Sequence, residues 1–152
     1  MGDEPIVRLL STALTAALDE LHAGMAAAGH PALRPIDGYA LNAILNGRVT
    51  ASAIAPRLGM TKQGVAKVLT GLAAEGYVAA GEDAEDARSK PFRLTARGRD
   101  AVALSVRLQD ELEARWAELS GARRLASTRA ALEDLAGEGP IGGFAYRPGV
   151  GD

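Results

Sequence analysis

Apolar residues recur at three- and four-residue intervals along most of this chain, and one clear run lies near its middle. Val65, Val68, Leu69 and Leu72 fall on one face of a predicted helix that opens at Thr61, whose hydroxyl can cap the first free N–H groups. The opposite face is small or polar and has no acid before position 75; it carries Lys62, Gln63, Ala66, Lys67 and Thr70. Such a face suits a DNA major groove, where Lys and Gln can meet phosphates and base edges.

A short helix is predicted immediately before it, over residues 51–58, and ends at Gly59, a residue type suited to that position. Pro56 lies inside this segment, where a helix loses a hydrogen bond. We therefore expect Ser52 to be the N-cap, which would bring the proline close to the first turn. Two helices joined by so tight a turn predict a helix-turn-helix, in which the second helix reads the groove.

A polar hairpin is predicted directly after the second helix. Gly76 ends that helix, Tyr77 and Val78 begin a strand, and residues 92–94 form its partner. The polar loop between them, residues 82–90, is too long for a tight turn. A helix-turn-helix followed by a two-stranded hairpin is a winged helix.

Long amphipathic helices are predicted on both sides of this core. The first covers residues 5–28, and a second covers residues 36–46. Thr95 can cap another long helix after the hairpin, and a break at Ser120 and Gly121 precedes a final helix that ends near Ala136. Because these helices carry more apolar surface than a small winged helix can cover, we expect a self-association surface.

The predicted fold is mostly α, a winged helix-turn-helix with a two-stranded β wing and long terminal helices for dimerisation. We divide the chain into N-terminal helices (1–46), a DNA-binding core (47–99), C-terminal helices (100–136) and a loosely ordered tail (137–152). The tail is rich in glycine and proline and has no hydrophobic periodicity.

Charge is distributed unevenly along the chain, although the net charge is only −2. Residues 46–99 hold nine Lys or Arg and five Asp or Glu, a net charge of +4, whereas the rest holds eight and fourteen, a net charge of −6. A basic centre between acidic ends suits one surface that meets a polyanion. The chain has no cysteine and no long apolar run, so we expect a cytoplasmic protein without a membrane span or thiol chemistry.

Catalytic chemistry finds no support in the residue pattern, and no cofactor or metal is implied. The two histidines, His22 and His30, are eight residues apart and are expected to serve packing or surface roles. The sequence contains no nucleophile elbow, no phosphate-binding loop and no paired carboxylates in an apolar setting. We therefore do not expect an enzyme.

The chain resembles the MarR family of bacterial transcription factors over roughly residues 6–136, and its specific motifs lie between residues 58 and 98. The matching stretches are LGMTKQGVAKVLTGLAAEGYV, the wing pattern DAEDAR and the following RLTARGRD. In that family the wing has Asp-Pro-x-Asp-x-Arg followed by Leu-Thr-x-x-Gly; this chain departs from it at Ala84, where the family usually has proline. Its matching residues are Asp83, Asp86, Arg88, Leu94, Thr95 and Gly98.

The resemblance implies a homodimeric regulator, typically a repressor, which binds a pseudo-palindromic site on double-stranded DNA. It implies that Arg88 enters the minor groove, and we expect Asp86 to orient it. It also implies a small-molecule effector bound between the dimerisation helices and the winged helix, where Tyr39 and Trp116 could lie. The full set of expected DNA contacts is Ser52, Arg57, Thr61, Lys62, Gln63, Lys67, Arg88 and Lys90.

An alternative use of the same fold stays open at this stage. The four acids of the wing loop and the negative net charge favour a winged helix that binds a protein and lacks specific DNA binding. The two alternatives differ in the salt dependence of DNA binding, because phosphate contacts release counterions.

Overall fold

The computed structural model describes residues 3–81 and 90–141. Its elements, in chain order, are α1 (Ile6–Ala27), α2 (Pro35–Leu45), α3 (Ala51–Leu58), α4 (Lys62–Ala74), β1 (Val78–Ala80), β2 (Phe92–Leu94), α5 (Ala96–Ser120) and α6 (Ala122–Ala136). This order confirms the predicted fold class, a mostly helical chain with a two-stranded wing. The predicted loosely ordered tail falls largely on residues 142–152, outside the described part of the chain.

The start of α3 differs from the sequence-based prediction. Thr50, and not Ser52, is the N-cap: its hydroxyl oxygen accepts a hydrogen bond from the backbone N–H of Ala53 at 3.2 Å. Thr50 has the extended backbone that a cap requires, whereas Ser52 already lies in the helix. Pro56 therefore lies in the helix interior, where it cannot donate to the carbonyl four residues earlier.

Three helices end in the same arrangement, with a glycine of positive φ just past the cap. The residue after this glycine returns its N–H to a carbonyl of the last helical turn: His30 to Met25 at 2.9 Å, Arg48 to Ala43 at 2.9 Å and Tyr77 to Leu72 at 2.9 Å. This is the Schellman motif, which satisfies end carbonyls and turns the chain sharply. The motif thus sets the direction in which the chain leaves α1, α2 and α4.

The start of α2 is held by an ion pair. The carboxylate of Asp37 accepts hydrogen bonds from the backbone N–H of Arg34 at 2.8 Å and from its guanidinium at 3.0 and 2.9 Å. Asp37 is buried, and the hydrogen bond from this carboxylate raises the pKa of Arg34 above its ordinary value. The arrangement satisfies the helix start and fixes the 28–34 connection against α2.

The hairpin is antiparallel, with Val78 opposite Leu94, Ala79 opposite Arg93 and Ala80 opposite Phe92. The N–H of Phe92 also donates to the carbonyl of Val49 at 2.7 Å, which ties β2 to the connection before α3. Val78 and Leu94 are buried as a cross-strand pair, so the base of the wing is part of the hydrophobic core.

The hydrophobic core lies between α2, α3, α4, the base of the hairpin and the start of α5. The predicted stripe on α4 is confirmed, since Val65, Val68, Leu69 and Leu72 are all buried. The largest fully buried side chains are Tyr77, Leu41, Ile54, Leu58, Leu69 and Val65. The core thus fixes α4 rigidly against the rest of the winged helix.

The terminal helices pack along one another but leave much apolar surface uncovered. α1 and α6 each pack on α5, with ion pairs between Glu20 and Arg115 and between Glu113 and Arg129. α6 has no buried residue, and Leu119 near the end of α5 and Leu135 near the end of α6 are 86% and 75% exposed. Together, the three helices α1, α5 and α6 are called the arm. Within the described residues, no helix is both long enough and apolar enough to cross a membrane.

Candidate nucleic-acid interface

The outer face of α4 presents the side chains that the sequence predicts. Lys62, Gln63 and Lys67 are all exposed, on the side opposite the buried stripe. Thr61 is the N-cap, as predicted, and its hydroxyl oxygen accepts from the N–H of Gly64 at 3.0 Å. Lys62 in the first turn of α4 and Lys67 in the second, together with the positive end of the helix dipole, give this part of α4 a positive edge that can meet phosphate.

The turn between α3 and α4 sets the angle at which α4 is presented. Gly59 has φ +62°, and the N–H of Met60 donates to the carbonyl of Ala55 at 3.1 Å. Arg57, in the last turn of α3, is exposed, whereas Ser52 is only half-buried near the start of that helix. The structure therefore places these two expected DNA contacts on the helix that precedes α4.

The base of the wing lies within the described residues. Lys90 is exposed just before β2, and Arg93 is exposed within it. The expected roles of Asp83, Asp86 and Arg88 concern residues 82–89, which lie outside the described residues. Lys90 and Arg93 thus add two exposed basic side chains at the hairpin, and Arg93 was not among the predicted DNA contacts.

A buried polar network at the root of the wing was missed by sequence reasoning. The hydroxyl of Tyr77 lies 2.8 Å from Nδ1 of His30 and accepts a hydrogen bond from the guanidinium of Arg97 at 3.0 Å. That guanidinium also lies over the Tyr77 ring, 4.6 Å from its centroid. The sequences AAGH and AEGY, in which a glycine ends a helix, indicate where the chain leaves α1 and α4. They do not indicate that His30 and Tyr77 contact each other.

A cavity of about 270 Å³ lies between α1, α2 and the first half of α5. Tyr39 lines it, as predicted, together with His22, whose Nε2 is buried without a hydrogen-bond partner among the described residues. Trp116 does not line it: the cavity ends at Gln109, and Trp116 lies about 10 Å further along the continuous α5 helix. Tyr39 and Trp116, which were expected at one pocket, are therefore not brought together at this cavity.

These elements define the class of the protein: a winged helix-turn-helix whose second helix has an exposed cationic and amide face. A sequence model of the MarR family matches residues 33–89, which include α2, α3, α4 and β1. Over residues 33–89 the chain is similar to the MarR family, and as a whole it has the fold of solved regulators of that family. No curated protein matches the chain by sequence.

Several solved structures share this fold over most of their length. Streptococcus pneumoniae FabT in complex with DNA has 18% identity and a TM-score of 0.73, covering 86% of this chain and 92% of FabT. Mycobacterium tuberculosis MarR family protein Rv2887 in complex with DNA has 23% identity and a TM-score of 0.67, covering 89% of this chain and 100% of Rv2887. The complex of Rv2887 with salicylic acid gives 25% identity and a TM-score of 0.63, covering 88% and 97%.

Proposed function

We propose that this chain is a cytoplasmic, homodimeric transcriptional regulator, a repressor that binds a pseudo-palindromic DNA site through α4 and the wing. The observation that carries the proposal is the exposed face of α4, where Lys62, Gln63 and Lys67 stand on a helix fixed by four buried apolar residues. A rigid helix with such a face can enter the major groove without rearrangement. FabT and Rv2887, which share the fold, have been solved with DNA, and this supports the proposal.

Each expected contact has a separate role in the proposal. Thr61, Lys62, Gln63 and Lys67 read or position the major groove, while Ser52 and Arg57 contact phosphates from α3. Arg88 inserts into the minor groove, oriented by Asp86, and Lys90 contacts the backbone beside it. Phosphate contacts fix the register of the protein on DNA, whereas Gln63 and Arg88 supply sequence preference.

Dimerisation is proposed through the uncovered apolar faces of α1, α5 and α6. Scattered exposed leucines are ordinary on a monomer, but here they concentrate on the terminal helices. The apolar residues concerned are Ile6, Val7, Leu9, Leu10, Leu14, Leu119, Leu132 and Leu135. A symmetric pair would place two α4 helices about one DNA turn apart, which is why we propose a pseudo-palindromic site. Residues 1–46 and 100–136 then form the dimerisation part and residues 47–99 the DNA-binding part.

The cavity between α1, α2 and α5 is proposed to bind a small effector that releases DNA. Its lining is mostly apolar and contains no Asp or Glu, and His22 Nε2 offers an unused polar contact. This composition suits a small aromatic acid, and salicylic acid is present in the Rv2887 structure. Adding salicylate should weaken DNA binding by the wild type and have little effect on a His22→Phe variant, whose ring lacks the polar contact.

One specific observation favours a second function, the binding of a protein by the winged helix. The wing loop carries Glu82, Asp83, Glu85 and Asp86, which would repel phosphates, and the net charge is −2. A winged helix with this loop could bind a protein through the same surface. DNA binding that is weak and indifferent to changes on α4 would favour this alternative.

The experiment that tests the proposed function is binding to the DNA that flanks the chain's own gene. The wild type is compared with Lys62→Ala/Gln63→Ala and with Arg88→Ala, at about 50 mM and about 200 mM salt. Tight, salt-sensitive binding that both variants lose is the expected result. Equal and weak binding by all three proteins would contradict the proposal.

A further inference from the structure

Two helix ends from distant parts of the chain meet at the root of the wing. His30 follows the Schellman motif of α1, and Tyr77 follows that of α4, so each is turned sharply away from its own helix. Both side chains are buried, Tyr77 at 1% exposure and His30 at 8%. Their rings lie 5.5 Å apart between centroids, which makes this a direct contact between the arm helix α1 and the hairpin.

The hydrogen bonds of this contact are best satisfied by a neutral His30. Arg97 has only donors, so the Tyr77 hydroxyl accepts from it at 3.0 Å. Tyr77 is buried, and among the described residues its hydroxyl proton finds an acceptor in His30 Nδ1 at 2.8 Å. We therefore assign Nδ1 as the unprotonated nitrogen of the ring, because a proton there would leave the buried hydroxyl proton without an acceptor. Protonation of His30 would remove this acceptor and place a second cation beside the Arg97 guanidinium.

We infer that His30, Tyr77 and Arg97 are positioning residues that fix the root of the wing to the end of α1, so that DNA binding is stronger when His30 is neutral. The inference rests on the proposed DNA-binding function and adds a coupling between the arm and the DNA-binding core. α1 carries part of the proposed dimer surface, and Tyr77 leads directly into β1. The network therefore helps set where each wing and each α4 stand relative to the partner subunit.

The groups that face His30 determine the direction of its pH response. Burial lowers the pKa of His30 below its ordinary value of 6.5, and Arg97 on α5 lowers it further, whereas Asp100 on the same helix raises it. Among the described residues of the wing root, the Tyr77 hydroxyl faces the ring, while Arg34 and Asp37 at the start of α2 are paired with each other. His30 is thus neutral at neutral pH, and acid breaks the network.

This direction is opposite to the ordinary effect of pH on DNA binding. Added positive charge normally strengthens binding to a polyanion, so histidine protonation by itself would raise affinity at low pH. The inference predicts that affinity falls as the pH drops from about 7.5 to about 5, a range that extends well below the ordinary histidine pKa of about 6.5 because the pKa of His30 is lowered. The expected loss is about fivefold, the worth of roughly one net hydrogen bond.

The first test compares DNA affinity at these two pH values for the wild type, His30→Asn, Tyr77→Phe and the control Arg107→Met. The asparagine amide oxygen stands close to the position of Nδ1, can accept from Tyr77 and does not titrate, so His30→Asn should bind equally at both pH values. Tyr77→Phe should bind about fivefold more weakly already at about pH 7.5. Arg107, exposed on α5, should leave the wild-type profile unchanged. Higher affinity of the wild type in acid, or identical profiles for all four proteins, would overturn the inference.

A second readout needs no DNA and separates failure of this inference from failure of the proposed function. The pKa of His30 is measured by NMR titration in the wild type and in the variants Arg97→Met and Arg107→Met. Each variant replaces one exposed arginine. Loss of Arg97 should raise the pKa of His30, and loss of Arg107 should not. Equal values in all three proteins would contradict the network even if the chain binds DNA. Shifted values with no DNA binding by the wild type would leave the network in place and contradict the proposed function.

Discussion

The carbonyl oxygen of Tyr77 lies so close to Gly98 that a Cβ atom at position 98 would clash with it. Gly98 is in the first turn of α5, and the Cβ would also meet the buried Leu94 side chain at 3.4 Å. The glycine is therefore required by the close approach of a backbone, which lets α5 pack directly on the root of the wing. This contact explains why Leu94, Thr95 and Gly98 occur at their spacing in the sequence.

Gly98→Ala should destabilise the protein strongly, because the new methyl group would displace a backbone carbonyl that no rotamer change can move. We expect a loss of about 3 kcal/mol in the free energy of unfolding, at the upper end of overpacking effects. Urea unfolding followed by circular dichroism measures it.

Gly71→Ala is the matched control for that substitution. Gly71 lies in the exposed part of α4, and a Cβ there would meet nothing within 4 Å. Because glycine weakens a helix interior, this change should stabilise the protein by about 0.5–1 kcal/mol. Similar effects of the two substitutions would contradict the packing described for Gly98.

The Thr95 hydroxyl joins the start of α5 to the end of α4. Its oxygen accepts from the N–H of Gly98 at 3.1 Å, and its proton reaches the carbonyl of Gly76 at 2.6 Å or that of Tyr77 at 3.0 Å. Thr95→Val, which keeps the shape and removes the hydroxyl, should lower the free energy of unfolding by about 1–2 kcal/mol. Thr95→Ser should retain most of the stability, and thermal unfolding of the three proteins compares them. A valine variant as stable as the serine variant would rule out this role.

The corrected N-cap of α3 gives a second matched pair. Thr50→Ala removes the cap and should lower the free energy of unfolding by about 1 kcal/mol, whereas Ser52→Ala, within the helix, should change it by less than about 0.5 kcal/mol. Chemical denaturation measures both values. The reverse order would restore Ser52 as the cap.

The uncovered leucines of the arm predict how the chain assembles. Leu119→Glu/Leu135→Glu would place charges in the proposed dimer surface, where they could not be solvated, and should weaken dimerisation by at least about tenfold. Leu45→Glu is the control, since Leu45 is an exposed leucine on α2. Sedimentation equilibrium measures the association constant. Unchanged dimerisation in the double variant would show that another surface associates.

Periodicity was enough to predict the helices because their stripes and caps are local features. The stripe on α4, the caps Thr61 and Thr95 and the break at Gly121 all depend on residues within a few positions of one another. The N-cap of α3 was misplaced because Thr50 and Ser52 are both good caps, and only the backbone angles decide between them. The exposed face of α4 followed directly from the buried one.

The features that escaped prediction depend on contacts between distant residues. His30 and Tyr77 are 47 residues apart, and no local pattern indicates that two glycine-ended helices deliver them to one place. Trp116 was assigned to a pocket by its residue type, but its position along a straight 25-residue helix carries it away from the cavity. The contact of His30 with Tyr77 and the distance of Trp116 from the cavity both depend on how the helices pack and how long they are, which local sequence patterns do not give.

The central claim, that the exposed face of α4 contacts DNA, is tested most directly by the salt dependence of binding. The measurement compares the wild type with Lys62→Met/Lys67→Met and with the control Arg107→Met/Arg124→Met, which loses the same charge from exposed positions on α5 and α6. The slope of the logarithm of affinity against the logarithm of salt concentration should become shallower by about 0.9 for each α4 lysine that neutralises a phosphate. The control slope should equal that of the wild type. Equal slopes for all three proteins would contradict the claim that α4 lies on DNA.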